Sequence, residues 1–177
     1  IEAMLAHPRS VAAAPGGGFF IGTSFNVYRV DTSGRLVRVA GDGSGATSGD
    51  GGPALEAGLE GVDGMAVDAS GNIYISSIRA NRVRRIDAVT GIITAFAGPG
   101  QRGYFGDGGP AQDAYLSRPE GLAVDAAGSI YIADRYNCSV RRVDSTTGII
   151  SSIVGNTSHS CNYRGDGTPA LGNGVQA

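Results

Sequence analysis

The chain repeats a short motif three times at a nearly constant interval, and this internal repetition limits the folds that are open to it. The motif reads Asp-Gly-Gly-Pro-Ala at 50–54 and 107–111 and Asp-Gly-Thr-Pro-Ala at 166–170. The first two copies begin 57 residues apart (107 − 50) and the last two 59 residues apart (166 − 107). A second motif, at 64–68 and 121–125, keeps the interval of 57. Such self-similarity is typical of solenoids, propellers and arrays.

Each copy contains four short segments that are rich in Val, Ile or Tyr and bounded by Gly, Asp, Asn or Thr. In the third copy this pattern predicts strands over 121–125, 129–135, 139–144 and 149–154. Four antiparallel strands in a repeat of about 40–57 residues make the blade of a β-propeller. A β-helix rung is too short for this period, and a β-sandwich would not repeat its sequence. We therefore predict an all-β fold, a β-propeller of four-stranded antiparallel blades, with three blades in this chain.

The repeats divide the chain into one propeller segment over residues 1–177. We predict blade one at 5–58, blade two at 59–115 and blade three at 116–177. Residues 10–154 should form three four-stranded sheets with almost no helix. The first strand of each blade should line the centre, where small Ala side chains suit the crowding near the axis.

Composition narrows the classes of partner. All 14 basic residues are Arg, and the net charge is −2, which is a poor match to nucleic acid because a binder of phosphates needs a basic face. No apolar run approaches the roughly 20 residues of a membrane-spanning helix, and no signal peptide is visible. A start at Ile1 rather than Met indicates a chain that is processed or excerpted.

Blade three carries a family pattern. Pro-Glu-Gly-Leu-Ala-Val-Asp at 119–125, Gly-Ser-Ile-Tyr-Ile-Ala-Asp at 128–134, Asn137 and Val-Arg-Arg-Val-Asp at 140–144 resemble the NHL repeat. The Gly-Asp-Gly-Gly-Pro-Ala loops resemble those of the long-blade variety found in bacterial and extracellular NHL proteins. The resemblance covers essentially the whole chain and is weakest in blade one.

The resemblance implies a fold more firmly than a function. NHL propellers bind proteins, glycans or RNA, and a few relatives are lyases or hydrolases. Blade two departs from the pattern at Ser77, where blade three has Asp134, and blade one departs at Ala14, where the pattern has Asp.

Three blades are too few to close a ring, since propellers close with about four to eight. The outer sheets should therefore pack on further blades or on other copies of the chain, head to tail. A longer array, a ring of two copies and an open filament all satisfy this requirement. We expect the outward faces to carry Phe19 and Ile21 on blade one and Ile130 and Ile132 on blade three.

The two cysteines, Cys138 and Cys161, are placed by propeller topology on one face, because loops after second and fourth strands share that face. A disulfide is expected, with two free thiols as the alternative. A disulfide favours a secreted, extracellular protein, or a periplasmic one. Asn137 and Asn156 begin two Asn-x-Ser/Thr sequons and are candidate glycosylation sites.

The Asp/Gly loops at 42–45, 49–52, 106–108 and 165–167 offer carboxylates and carbonyls to a hard cation. They lack the ligand spacing of an EF-hand, and their recurrence in every blade favours a structural role in which Asp caps a turn. We therefore expect no cofactor and no metal site, with calcium as the weaker alternative.

Two arginine pairs occupy the third strands, Arg84 with Arg85 and Arg141 with Arg142. Neighbouring residues of a strand point to opposite faces, so a pair does not form one patch. We predict that these arginines bridge aspartates of neighbouring blades or loops.

Arginine and tyrosine mixtures typify interaction hot spots. The candidate binding residues of the predicted loop face are Arg79, Tyr104, Phe105, Arg135, Tyr136, His159, Tyr163 and Arg164.

The sequence offers little for catalysis. The two histidines, His7 and His159, cannot build a three-histidine zinc site, no nucleophile elbow or phosphate loop is present, and Asp134 suits a turn better than a catalytic role. We predict a non-enzymatic, extracellular module for protein or glycan interaction and assembly. Two alternatives are part of a propeller lyase or hydrolase with metal ligands outside this chain, and a repeating subunit of an extracellular filament.

Overall fold

The computed structural model describes residues 5–155 and Cys161. Within these residues, twelve strands form three four-stranded antiparallel sheets, each a meander of four consecutive strands. Helix in the same part is limited to three single 3₁₀ turns, at Ala54–Glu56, Ala111–Asp113 and Arg135–Asn137. The predicted all-β fold with propeller-type blades is confirmed. None of the described helices has the length and apolar character needed to cross a membrane.

The strands are numbered in chain order. Blade one contains β1 to β4, at Ser10–Ala13, Phe19–Gly22, Val27–Val30 and Leu36–Ala40. Blade two contains β5 to β8, at Gly64–Val67, Ile73–Ser77, Arg82–Ile86 and Ile93–Ala97. Blade three contains β9 to β12, at Pro119–Val124, Ile130–Asp134, Ser139–Val143 and Ile150–Val154. The predicted blade limits fall in the connecting loops and stay a prediction.

Aspartate-led turns join the first two strands of blades two and three. Asp125 Oδ1 accepts hydrogen bonds from the backbone N–H groups of Ser129 (2.8 Å) and Ala127 (3.0 Å). These bonds, that of Ser129 first, lower the pKa of Asp125. Gly128 completes the turn with φ of +86°, a conformation that suits glycine. Asp68 directs the equivalent turn in blade two.

Two apolar layers hold the sheets together. Buried side chains of the layer between blades one and two include Phe20, Val27, Leu59, Ile75 and Ile93. Those of the layer between blades two and three include Tyr74, Val83, Leu116, Ile130 and Ile132. Burial of apolar area is the main stabilising term in such packing, at about 25 cal/mol per Å².

The expected outward face of blade three is wrong. Ile130 and Ile132 are buried against blade two, so the outward face carries the alternate residues Tyr131 and Ala133. The equivalence of the blades gives the reason. Phe19 pairs with the third strand at the position that Ile130 occupies in blade three, and this side of every sheet meets the preceding blade.

On blade one the same side has no preceding blade, and there the prediction names the correct face. Phe19 is 39% exposed, whereas its neighbour Ile21 is buried within its own sheet.

The first strands lie side by side, β1 next to β5 and β5 next to β9. Serine hydroxyls tie neighbouring blades here: Ser10 Oγ donates to the Val62 carbonyl (2.9 Å) and Ser76 Oγ to the Glu120 carbonyl (2.5 Å). This arrangement is expected of the strands nearest a propeller axis.

Each Gly-Gly-Pro-Ala loop pairs with the outer edge of the next blade. Gly51 N–H donates to the Ile93 carbonyl (2.8 Å), Ile93 N–H to Gly52 (3.0 Å), and Ala54 N–H to Gly91 (2.8 Å). The loop at 108–111 repeats the pattern on β12. Within the described residues, β4 has no such loop on its outer edge.

Candidate functional site

The loops after second and fourth strands form one surface, which we call the loop face. It comprises residues 23–26, 78–81 and 135–138 after second strands, and 41–63 and 98–118 after fourth strands. The tight turns after first and third strands lie at the opposite end of each blade, because a meander alternates its connections between the two ends.

A buried arginine fixes the first long loop. Arg84 is 2% exposed, and its Nε lies 2.8 Å from Asp50 Oδ1. Its Nη1 donates to the Gly58 carbonyl (2.9 Å) and its Nη2 to the Ser48 carbonyl (2.8 Å). One guanidinium of blade two thus holds a loop that leaves blade one. We call such an arginine–aspartate pair a latch.

The second latch joins Arg141 of blade three to Asp107 of the preceding loop, with Nη2 2.6 Å from Oδ1. Arg141 is fully buried and has a second carboxylate, Asp134, at 3.5 Å. Its other donors reach the Tyr115 and Phe105 carbonyls at 3.3 and 3.4 Å. The predicted bridges between neighbouring blades and loops are present for Arg84 and Arg141. Their strand neighbours pair with aspartates of their own blades.

Asp134 is buried behind this latch. It accepts hydrogen bonds from the Ser117 backbone N–H and from Asn137 Nδ2, both at 2.7 Å. Burial raises its pKa, against the lowering effects of these bonds and of Arg141. Because every oxygen contact is structural, Asp134 orders the start of blade three, as the turn role predicted.

The predicted disulfide is present. Cys138 and Cys161 are joined with their Cα atoms 5.2 Å apart. The bridge ties the segment after β12 to the loop after β10 on the loop face. Asn137 is only 6% exposed and its Nδ2 also donates to the Gly103 carbonyl (2.7 Å). A glycan on Nδ2 would break these bonds, so the folded loop disfavours use of this sequon.

Tyr136 is the centre of an arginine cluster. The guanidinium carbons of Arg118, Arg102 and Arg135 lie 4.3, 5.2 and 5.7 Å from its ring centroid. Arg118 Nη1 donates to the Tyr136 hydroxyl (2.8 Å), and the ring is 41% exposed. We call these four residues the Tyr136 cluster.

The cluster has little compensating charge. Arg135 approaches Glu120 at 3.5 Å, with both side chains about half exposed. Within residues 5–155 and Cys161, neither Arg102 nor Arg118 forms a salt bridge. The two guanidinium carbons are at most 9.5 Å apart, as follows from their distances to the shared ring centroid, so the site is locally cationic on a chain of net charge −2.

Arg118 has a strained backbone. Its φ is +55°, a region that non-glycine residues rarely adopt, and it precedes Pro119, which restricts it further. Counting back 57 residues from Arg118 leads to Gly61, with φ of +85°. Blade three thus places a charged side chain where blade two has the residue that the conformation favours.

The predicted binding residues separate into groups. Arg135 and Tyr136 come together in the cluster, while Arg79 is exposed in the equivalent loop of blade two. Tyr104 supports the second latch, with its hydroxyl 3.2 Å from Asp107 Oδ2 and its ring under the Arg141 guanidinium. Phe105 is 69% exposed and packs edge-on against Tyr115. His159, Tyr163, Arg164 and the sequon residue Asn156 lie outside the described residues.

Sequence reasoning missed Arg102 and Arg118. The signal for Arg118 was available in the repeat, as an arginine at the position of a glycine in the sister blade. Arg102 gave no such signal, because blade two has no residue in the cluster at that position.

Within residues 5–155 and Cys161, no three side chains of the metal-binding types come together. Asp50 and Asp107, the loop carboxylates weighed for calcium, are both partners of buried arginines.

Comparison with known proteins gives three findings. Residues 97–168 match the family model described as the Teneurin NHL domain. Teneurin-m of Drosophila melanogaster is 28% identical over 170 residues, which cover 89% of this chain and 6% of that protein. Protein SUPPRESSOR OF QUENCHING 1, chloroplastic, of Arabidopsis thaliana is 31% identical over 91 residues, covering 51% of this chain and 8% of the plant protein. The chain thus spans a small part of both relatives.

Among solved structures, a structural genomics protein of unknown function from Bacteroides thetaiotaomicron is similar in fold. The TM-score is 0.65 at 20% identity, over 82% of this chain and 35% of the other.

Proposed function

We propose that this chain, whose blades belong to the NHL-repeat β-propeller family, is a non-enzymatic module that binds a protein partner through its loop face. The observation that carries the proposal is the Tyr136 cluster, where arginine and an exposed aromatic ring lie on a rigid frame. Arg and Tyr are enriched among residues that dominate binding energy. Guanidinium and phenol groups at such a surface are suited to recognition.

The two latches and the disulfide support this assignment. Binding surfaces gain affinity when their loops are ordered before the partner arrives, because less conformational entropy is lost on association. Arg84 and Arg141 fix the long loops from buried positions. The Cys138–Cys161 bridge restrains the loop that carries Tyr136.

An extracellular setting is part of the proposal. A disulfide persists in oxidising compartments, and Teneurin-m is among the relatives of this chain. Glycan binding at the same face is the second ligand class, and docking of further blades or copies on the outward sheet faces supports a role in assembly.

Photocrosslinking tests the location of the partner. We would place p-benzoylphenylalanine at position 136 in the full chain expressed in its own cells, and at Val89 as the control. Val89 is 93% exposed in the turn after β7, at the opposite end of the blade. A discrete adduct from position 136 and none from position 89 is expected. Equal adducts at both positions, or none at 136, would contradict the proposal.

A further inference from the structure

We propose that the Tyr136 cluster binds a carboxylate, supplied by a short acidic segment of the protein partner. This inference rests on the proposed function and names the chemistry of its site. Three guanidinium groups lie around one exposed ring, and a guanidinium presents paired N–H donors that match the two oxygens of a carboxylate.

The cluster keeps like charges close without neutralising them. Arg102 and Arg118 are within about one Debye length of each other at physiological salt, and the described residues give neither a carboxylate partner. Elsewhere in this part of the chain, the buried arginines Arg84 and Arg141 have aspartates at 2.8 and 2.6 Å. The same fold that pairs its structural arginines thus leaves these two available to a ligand.

Each of the two arginines is fixed from the side away from the ring. Arg102 Nε donates to Ser117 Oγ (2.9 Å), and the Arg118 backbone N–H donates to Asn81 Oδ1 (3.0 Å). The backbone of Arg118 holds an unfavourable conformation that Gly61 adopts readily in blade two. Strain of this kind persists where the surrounding structure enforces it, and it concentrates at functional sites.

The geometry favours a short acidic segment over a long polyanion. The three arginines converge on one ring instead of following a groove, whereas nucleic acid or a sulfated glycan needs an extended row of cations. Glu120, beside Arg135, would repel a second anionic group arriving from that side. One or two carboxylates fit the space that remains.

The test uses fluorescence anisotropy of a fluorescein-labelled hexaglutamate peptide on the full chain at low and moderate salt. Arg118→Gly should weaken binding about tenfold or more, which is the loss expected for one charge-assisted hydrogen bond. Glycine stands at the equivalent position of blade two, so this variant should fold, as checked by circular dichroism. Arg35→Gln removes the same charge from an exposed turn and should leave the affinity unchanged.

Three results would overturn the inference: no binding of hexaglutamate, equal losses in Arg118→Gly and Arg35→Gln, or preferred binding of a heparin octasaccharide at the cluster. The last result would assign the site to a polyanion. If hexaglutamate fails while position 136 still gives a specific crosslink, the carboxylate inference falls and the proposed function stands. If the crosslink is also absent, both fall.

Discussion

Replacing the two latch aspartates by asparagine should have unequal effects on stability. Asp50→Asn leaves Arg84 buried, with carbonyl partners but no other carboxylate in its listed ion pairs. Asp107→Asn leaves Arg141 buried but still 3.5 Å from Asp134. The two blades therefore provide a matched comparison, in which the same substitution removes the last carboxylate from one arginine and one of two from the other.

The expected sizes follow from burial. Leaving a buried charge without its partner costs about 3–5 kcal/mol. Asp50 is 34% exposed, and asparagine keeps an acceptor, so we expect Asp50→Asn to lower the free energy of unfolding by about 2–3 kcal/mol. Arg141 keeps a Coulomb attraction to Asp134 of about 5 kcal/mol at an effective dielectric constant of 20. We therefore expect Asp107→Asn to cost about 1 kcal/mol.

Urea unfolding at pH 7, followed by far-ultraviolet circular dichroism, measures both losses. Asp113→Asn is the control, because Asp113 is exposed in a 3₁₀ turn, and it should change the free energy of unfolding by less than about 0.5 kcal/mol. A loss for Asp107→Asn that equals or exceeds the loss for Asp50→Asn would refute the reasoning. It would show that Asp134 does not compensate the buried charge.

Two further predictions concern the disulfide and acid stability. Cys138→Ser should lower the free energy of unfolding by about 3 kcal/mol through loss of the crosslink to Cys161, and adding reductant to the unmodified chain should reproduce the loss in urea unfolding. Hydrogen bonds from the Thr90 backbone N–H and hydroxyl lower the pKa of Asp87 to about 2 from 3.8. Because the folded pKa is the lower one, this stabilisation is complete above about pH 4 and is lost as the pH falls through 2. Carbon-detected NMR titration should give a midpoint near 2 for Asp87, and Thr90→Ala should raise it; an unchanged midpoint would argue against these bonds as the cause.

The sequence was sufficient for the blades, because each strand is specified locally. Alternation and turn residues repeat every 57 positions, and the predicted strands of blade three agree with the structure within about two residues. Its first strand begins at Pro119, earlier than the predicted 121.

Alternation alone was not sufficient for the outward faces. It shows that Ile130 and Ile132 share a side of the sheet but does not show which neighbour that side meets. Aligning the registers of Phe19 and Ile130 across blades would have given the answer.

The cluster was only half predictable for a different reason. Arg135 and Tyr136 lie in one short loop, so propeller topology placed them together. Arg102 and Arg118 belong to a loop of about twenty residues whose course depends on tertiary contacts, including the bridge between Arg102 and Leu116. No local pattern encodes that course.

The pairing of the Gly-Gly-Pro-Ala loops with β8 and β12 also bears on aggregation. An exposed strand edge recruits other strands, and natural sheets cover such edges. In blades two and three the preceding loop already occupies the outer backbone groups, so these rims offer no template for strand addition. Among the described strands, β4 has an outer edge without a loop, and its Val37 is exposed. Self-association through strands should therefore begin at Leu36–Ala40, and a partner or blade that covers this edge would also act as its protection against fibrils.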